Sequence, residues 1–187
     1  MSQTDPLAMV AFVATTVLAL STLSPSPNFA GLLGLLVTIQ VYTRVFSRKF
    51  HHLVQPWVAS TIGTLISYAN PASNALQSSA LSIVLLIVIS ALGPVIPISA
   101  IWFDANYIGK NRRFNWFRLA AFPAFWASLL GIVSLSSPFG RLFMWSPVTG
   151  IGSYTWISSY LGPWGIDFVV AGWSVVLTEV KIGRAHV

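Results

Sequence analysis

The chain has 187 residues, 55% hydrophobic and 7% charged, with ten Lys and Arg against four Asp and Glu for a formal charge of +6. A soluble domain carries about 25% charged residues, so an ordinary solvated surface is excluded. Cysteine is absent, which excludes disulfides, thiolate metal sites and Cys nucleophiles within this chain, and so few cations do not make a nucleic-acid-binding face.

The charges are also missing where a soluble fold needs them. No Lys, Arg, Asp or Glu occurs from Pro6 to Thr43, or from His51 to Phe103. Lipid solvates such side chains while helices satisfy their own backbone groups. The expected fold is therefore all-α, a polytopic transmembrane bundle of about six helices, each near the roughly 20 residues that span a bilayer.

The first span covers residues 7–23 and ends at Ser24-Pro25-Ser26-Pro27, where proline breaks a helix. Only Asp5 precedes it as a charge, without the basic n-region of a secretory signal, so this helix is expected to be retained. The second covers residues 29–46 and ends in Ser47-Arg48-Lys49-Phe50-His51-His52. The third, residues 53–69, is flecked with Thr61, Thr64 and Ser67 and stops at Asn70-Pro71. The fourth, residues 80–103, is apolar all round through its first half, and Gly93-Pro94 and Pro97 predict a kink. The fifth, residues 117–135, contains Pro123, and the sixth covers residues 161–177. Between these two, residues 136–160 are rich in Ser, Pro, Gly and aromatics. Pro147, Gly150 and Gly152 interrupt that stretch, which predicts an interfacial or re-entrant segment instead of a span.

Arg44, Arg48, Lys49, Lys110, Arg112, Arg113 and Arg118 fall in the loops after the second and fourth spans, while the opposite loops hold only Arg141. By the positive-inside rule those two loops and the N-terminus face the cytosol. The cations serve chiefly to fix this topology, with anionic lipid headgroups as further partners.

Residues 181–187, Lys-Ile-Gly-Arg-Ala-His-Val, translate a string that matches, after its opening, the start of a widely used short-read sequencing adapter. They are expected to be a non-native tail. Without Lys181 and Arg184 the formal charge falls from +6 to +4. The gene product is then expected to be longer than this chain.

No catalytic, cofactor or metal site assembles from these residues. Asp5, Asp104, Asp167 and Glu179 lie on different segments, so no carboxylate pair is expected for acid–base work. His51 and His52 are adjacent and point apart, without a thiolate or carboxylate close by. Asp167 allows two readings: an acid at the positive N-terminal end of the sixth helix, capped or solvated there, or a substrate or partner contact within the membrane. Glu179 is expected at a solvated helix end. Trp145, Tyr154 and Trp156, with Asp167, are the candidate lipid or partner contacts, because Trp and Tyr favour the membrane interface.

The run Phe122-Pro123-Ala124-Phe125-Trp126 places Pro-Ala-x-Trp on the fifth helix, followed by Trp145-Ser146-Pro147 and the opening Leu161-Gly162-Pro163-Trp164-Gly165-Ile166-Asp167-Phe168. This order resembles apolipoprotein N-acyltransferases and their eukaryotic carbon–nitrogen-hydrolase relatives, most clearly over residues 113–176. The resemblance implies an eight-helix bundle carrying a nitrilase-like domain late in the chain, on the non-cytosolic side. That domain would supply a Glu-Lys-Cys triad whose Cys takes an acyl group from a phospholipid and passes it to an amine, as in lipoprotein biosynthesis. The nitrilase-like domain is absent here. One departure stands out: bacterial members continue the fifth helix into a Glu-x-x-Arg-Gly-like stretch, whereas Ala127-Ser128-Leu129-Leu130-Gly131 has neither charge. The expected function is thus the membrane-embedded part of a lipid-dependent N-acyltransferase-like enzyme, with membrane lipids as partners. The alternative is a small polytopic transporter or lipid-binding scaffold, against which the sequence offers no paired midplane charges and no internal repeat.

Overall fold

A computed structural model describes residues 6–22, 28–46, 53–72, 79–108, 116–136, 145–146 and 155–185. Among them the regular structure is all helical. The first helices sit where apolarity put them: α1 is Pro6–Thr22, α2 is Phe29–Phe46 and α3 is Val54–Ala72. Helix α3 runs through Asn70-Pro71 and ends at Ala72, three residues past the expected end at residue 69.

The fourth span is divided. Helix α4, Ser79–Leu92, stops at Gly93-Pro94, and α5, Val95–Phe103, begins beyond it. Pro94 has no N–H to continue the ladder, so the last bond of α4 runs from Gly93 N to Ile89 O at 2.8 Å. Pro97 lies in the first turn of α5, where an N–H would have no helical acceptor anyway. The backbone then winds on as a π turn, Asp104–Ile108. Helix α6, Trp116–Ser136, carries Pro123 without interruption.

The sixth span differs most from expectation. A short α7, Thr155–Leu161, precedes it, and α8 runs Pro163–Ala185, eight residues beyond the expected end and into the adapter-like tail. Between them Gly162 has φ +64°, a conformation glycine adopts without a Cβ penalty. Pro163 opens α8 with its φ already helical. Nothing after Leu177 breaks a helix: Thr178, Glu179, Val180 and Lys181 simply continue it.

The contacts fix the direction of each helix. Thr22 meets Gly31 and Leu18 meets Gly34, so α1 and α2 are antiparallel. Gly63 abuts Ala19, and the Ser67 hydroxyl donates to Leu20 O at 2.8 Å, so α1 and α3 run together. Trp57, near the start of α3, donates to Ala91 O at the end of α4 across 2.8 Å. Gly131 packs on Trp164 and Gly172 on Pro123, which makes α6 and α8 antiparallel. Successive long helices therefore alternate in direction.

Helix α2 lies at the centre, packed on α1, α5 and α8; its Leu32, Leu35, Leu36 and Ile39 are fully buried in one core with Ile98 and Ile101 of α5, Phe122 and Trp126 of α6, and Val170 and Val175 of α8. Helix α4 has the opposite arrangement. Its buried stripe is Ser82, Leu86 and Ser90, while Leu81, Ile83, Val84, Ile87, Val88 and Leu92 are exposed. In water that distribution is inside out. Two stretches, Ala80–Tyr107 and Leu119–Ser136, are long and apolar enough to cross a membrane.

Candidate functional site

The C-terminal turns of α2 place Gln40, Thr43 and Arg44 inward, one helical turn apart. Arg44 is a buried hub. Its Nη2 lies 3.0 Å from Asp104 Oδ2 and its Nη1 lies 2.5 Å from Glu179 Oε1. Side-chain exposure is 2% for Asp104, 11% for Arg44 and 26% for Glu179, so Glu179 is the outermost of the three. Asp104 heads the π turn, a widened geometry frequent at functional sites.

One turn deeper is a neutral network. Gln40 Nε2 donates to Ser174 Oγ at 3.1 Å, and Thr178 Oγ1 donates to Gln40 Oε1 at 2.8 Å. The Ser174 hydroxyl then donates to Ala171 O at 2.8 Å, and Thr43 donates to Ile39 O at 2.7 Å. The i, i+4 spacing of Gln40 and Arg44 matches that of Ser174 and Thr178, so two parallel helices present polar groups at the same depth. These groups are fully buried, where a satisfied hydrogen bond is worth about 1 kcal/mol and an orphaned group costs about 1–3 kcal/mol.

Three expectations are corrected here. Arg44 is a buried ion-pair centre, not a loop cation, because α2 carries it into the bundle before the basic loop begins. Glu179 is paired, not simply solvated, because α8 continues past residue 177. Asp104 and Glu179, far apart in sequence, meet on one guanidinium. The signal that could have found this cluster is Gln40 and Arg44 inside an otherwise apolar segment, four residues apart.

At the other end of α8, Asp167 is fully buried in the second turn and accepts a hydrogen bond from the Ser146 hydroxyl. It is neither solvated nor in the first turn, which corrects that reading. Instead it ties residues 145–146 to α8. Trp145 packs into the core, while Trp156 of α7 is exposed and meets Tyr160 edge to face with ring centroids 6.5 Å apart. Both rings of that pair face outward. Asp167 and Trp145 are brought together through Ser146; Trp156 belongs to a separate surface. Tyr154, His51, His52, Arg48, Lys49, Lys110, Arg112, Arg113 and Arg141 lie outside the described residues, and Arg118 falls in the first turn of α6.

The seam of α1 and α3 also uses small residues. Ala59, Gly63 and Ser67 repeat every four positions on α3, and of these only Ser67 stands out in the sequence, as a polar residue in an apolar segment. A Cβ built on Gly63 would sit 2.3 Å from that of Ala19, so the two backbones come into contact, an approach that only small residues permit.

The chemistry available at these sites is hydrogen bonding and charge pairing. Comparison with family models, with curated proteins and with solved structures returned no match for this chain.

Proposed function

We infer that the chain is a multi-pass membrane domain with a cytosolic N-terminus, the embedding part of a lipid-dependent N-acyltransferase-like carbon–nitrogen hydrolase. The observation that carries the membrane topology is the meeting of Arg44 with Asp104. It brings the ends of α2 and α5 together, so the two basic loops that follow leave from one face, as cytosolic loops must under the positive-inside rule. The inside-out surface of α4 supports lipid as the surrounding solvent.

The enzymatic role rests on the resemblance of residues 113–176. In support of it, Phe122 and Trp126 are buried, and Pro123 faces Gly172, which puts the resembling parts of α6 and α8 along one seam. In this reading the bundle holds a phospholipid acyl donor near the aromatic segment, with Trp156 at the lipid boundary. The nitrilase-like catalytic domain belongs to residues beyond this chain, on the non-cytosolic side. Sequencing the complete transcript tests it: a downstream Glu-Lys-Cys nitrilase pattern is expected, and an open reading frame without one refutes the enzymatic role. The membrane reading is tested separately by carbonate washing, which should leave the chain in the membrane pellet.

A second reading, a small polytopic transporter, is favoured by one observation. The Arg44 cluster supplies the paired charges inside the bundle that transporters use. Purified chain in liposomes that moves a solute would support it over the first.

A further inference from the structure

The Arg44 cluster and the Gln40 network lie in series. Along α8, Ser174, Thr178 and Glu179 follow one another within about 8 Å of helix axis, and along α2 their partners Gln40 and Arg44 are one turn apart. Farther up the same buried stripe of α8 come Ala171, a small side chain, and Asp167. Polar atoms buried in this order are costly in a bilayer and mark solute or ion routes.

We propose that Arg44 is the latch of a cytosolic gate, and that Gln40, Ser174 and Thr178 are the first rungs of a hydrophilic passage between α2 and α8. The proposal rests on the multi-pass membrane reading. The two arms of the latch are unequal. Asp104, at 2% exposure, holds Arg44 to α5 from within, whereas Glu179, at 26%, reaches water and is the arm that releases. The guanidinium is not saturated: its Nε is buried without a hydrogen-bond partner, so Arg44 can turn about the Asp104 contact without breaking a further bond. Once Glu179 lets go, the next groups met from the cytosol are a carboxamide and two hydroxyls. These are neutral donors and acceptors, which suit water and small uncharged solutes that form hydrogen bonds, not free ions.

The chain contains no cysteine, so single introduced thiols report accessibility cleanly. Thr178→Cys in inside-out vesicles is exposed to a membrane-impermeant maleimide, with and without Glu179→Gln. Labelling should be slow with Glu179 present and about tenfold faster with Glu179→Gln, the change expected on weakening a charge-assisted hydrogen bond. Right-side-out vesicles should label slowly in both cases. Equal rates with and without Glu179→Gln overturn the proposal. Ser60→Cys, a nearly isosteric change at a fully buried position of α3, guards against unfolding. Should Glu179→Gln unmask Ser60→Cys as well, Glu179→Asp decides: labelling of Thr178→Cys must rise while Ser60→Cys stays protected, and an unchanged rate sinks the gate. Failure of the membrane reading shows elsewhere, as release of the unmodified chain by carbonate.

Discussion

Gly63→Ala tests the packing logic of the bundle most directly. The added Cβ would stand 2.3 Å from Ala19 Cβ, and 3.0 Å from both the Ala19 carbonyl carbon and Leu20 N. Carbon atoms rest at about 3.5–4.0 Å, so α1 and α3 must part by roughly 1–1.5 Å. Two of the three obstructing atoms are backbone, so no rotamer change relieves the clash. Overpacking of this kind costs about 1–3 kcal/mol. Separation also weakens the Ser67 to Leu20 O hydrogen bond, worth about 0.6 kcal/mol between helices in lipid. Better helix propensity of Ala returns about 1 kcal/mol. The net expectation is a loss of roughly 2 kcal/mol, read from reversible denaturant unfolding in bicelles followed by far-UV circular dichroism. Gly172→Ala is the matched control. Its Cβ would meet Pro123 Cγ at 3.9 Å, an ordinary contact, so only the propensity gain applies. Adding Ala19→Gly removes only the nearest atom, the Cβ at 2.3 Å, and leaves the two backbone atoms at 3.0 Å; with about 1 kcal/mol of helix propensity lost at residue 19, it should relieve the clash without restoring the original stability. If Gly63→Ala proves as stable as Gly172→Ala, the close α1–α3 contact is refuted.

Other substitutions probe the polar interior. Arg44→Leu removes the hub and leaves Asp104 buried without its main partner, at a cost of about 3–5 kcal/mol. Glu179→Gln should cost only about 1 kcal/mol in the same unfolding assay, because that arm is partly hydrated. Asp104→Asn, which weakens the inner arm alone, should cost more than Glu179→Gln, and equal losses from those two would contradict the asymmetry of the two arms. Gln40→Leu takes away the acceptor of Thr178 and the donor to Ser174, with an expected loss of about 1–2 kcal/mol; a neutral result would mean that these hydroxyls find other partners. Asp167→Leu removes the acceptor of the Ser146 hydroxyl. Hydrogen exchange of the peptide containing Trp145 should then quicken while peptides of α2 stay protected, and unchanged exchange would deny Asp167 its tethering role.

What sequence alone determined was the apolar skeleton. Runs of uncharged residues placed α1, α2 and α6 to within one residue, because a long apolar run bounded by proline or charge declares a helix without reference to any partner. The proline signals at Gly93-Pro94 and within α6 were legible for the same reason, since a missing N–H acts locally. The far end of α8 was not. Thr178 and Glu179 looked like the edge of the membrane, yet they are held in a helix by Gln40 and Arg44, more than a hundred residues away in the chain.

Tertiary structure decided which polar residues matter. Arg44 in sequence is one cation beside a basic loop, and Asp104 and Glu179 are isolated acids. Only the parallel course of α2 and α8, with α5 ending beside them, makes one cluster of the three. Asp167 likewise stood at a helix start, where solvent was the natural partner, until Ser146 folded back over it. Periodicity reports which face of a helix is apolar. It carries no record of which buried face meets which, because that choice is made by contacts between distant segments.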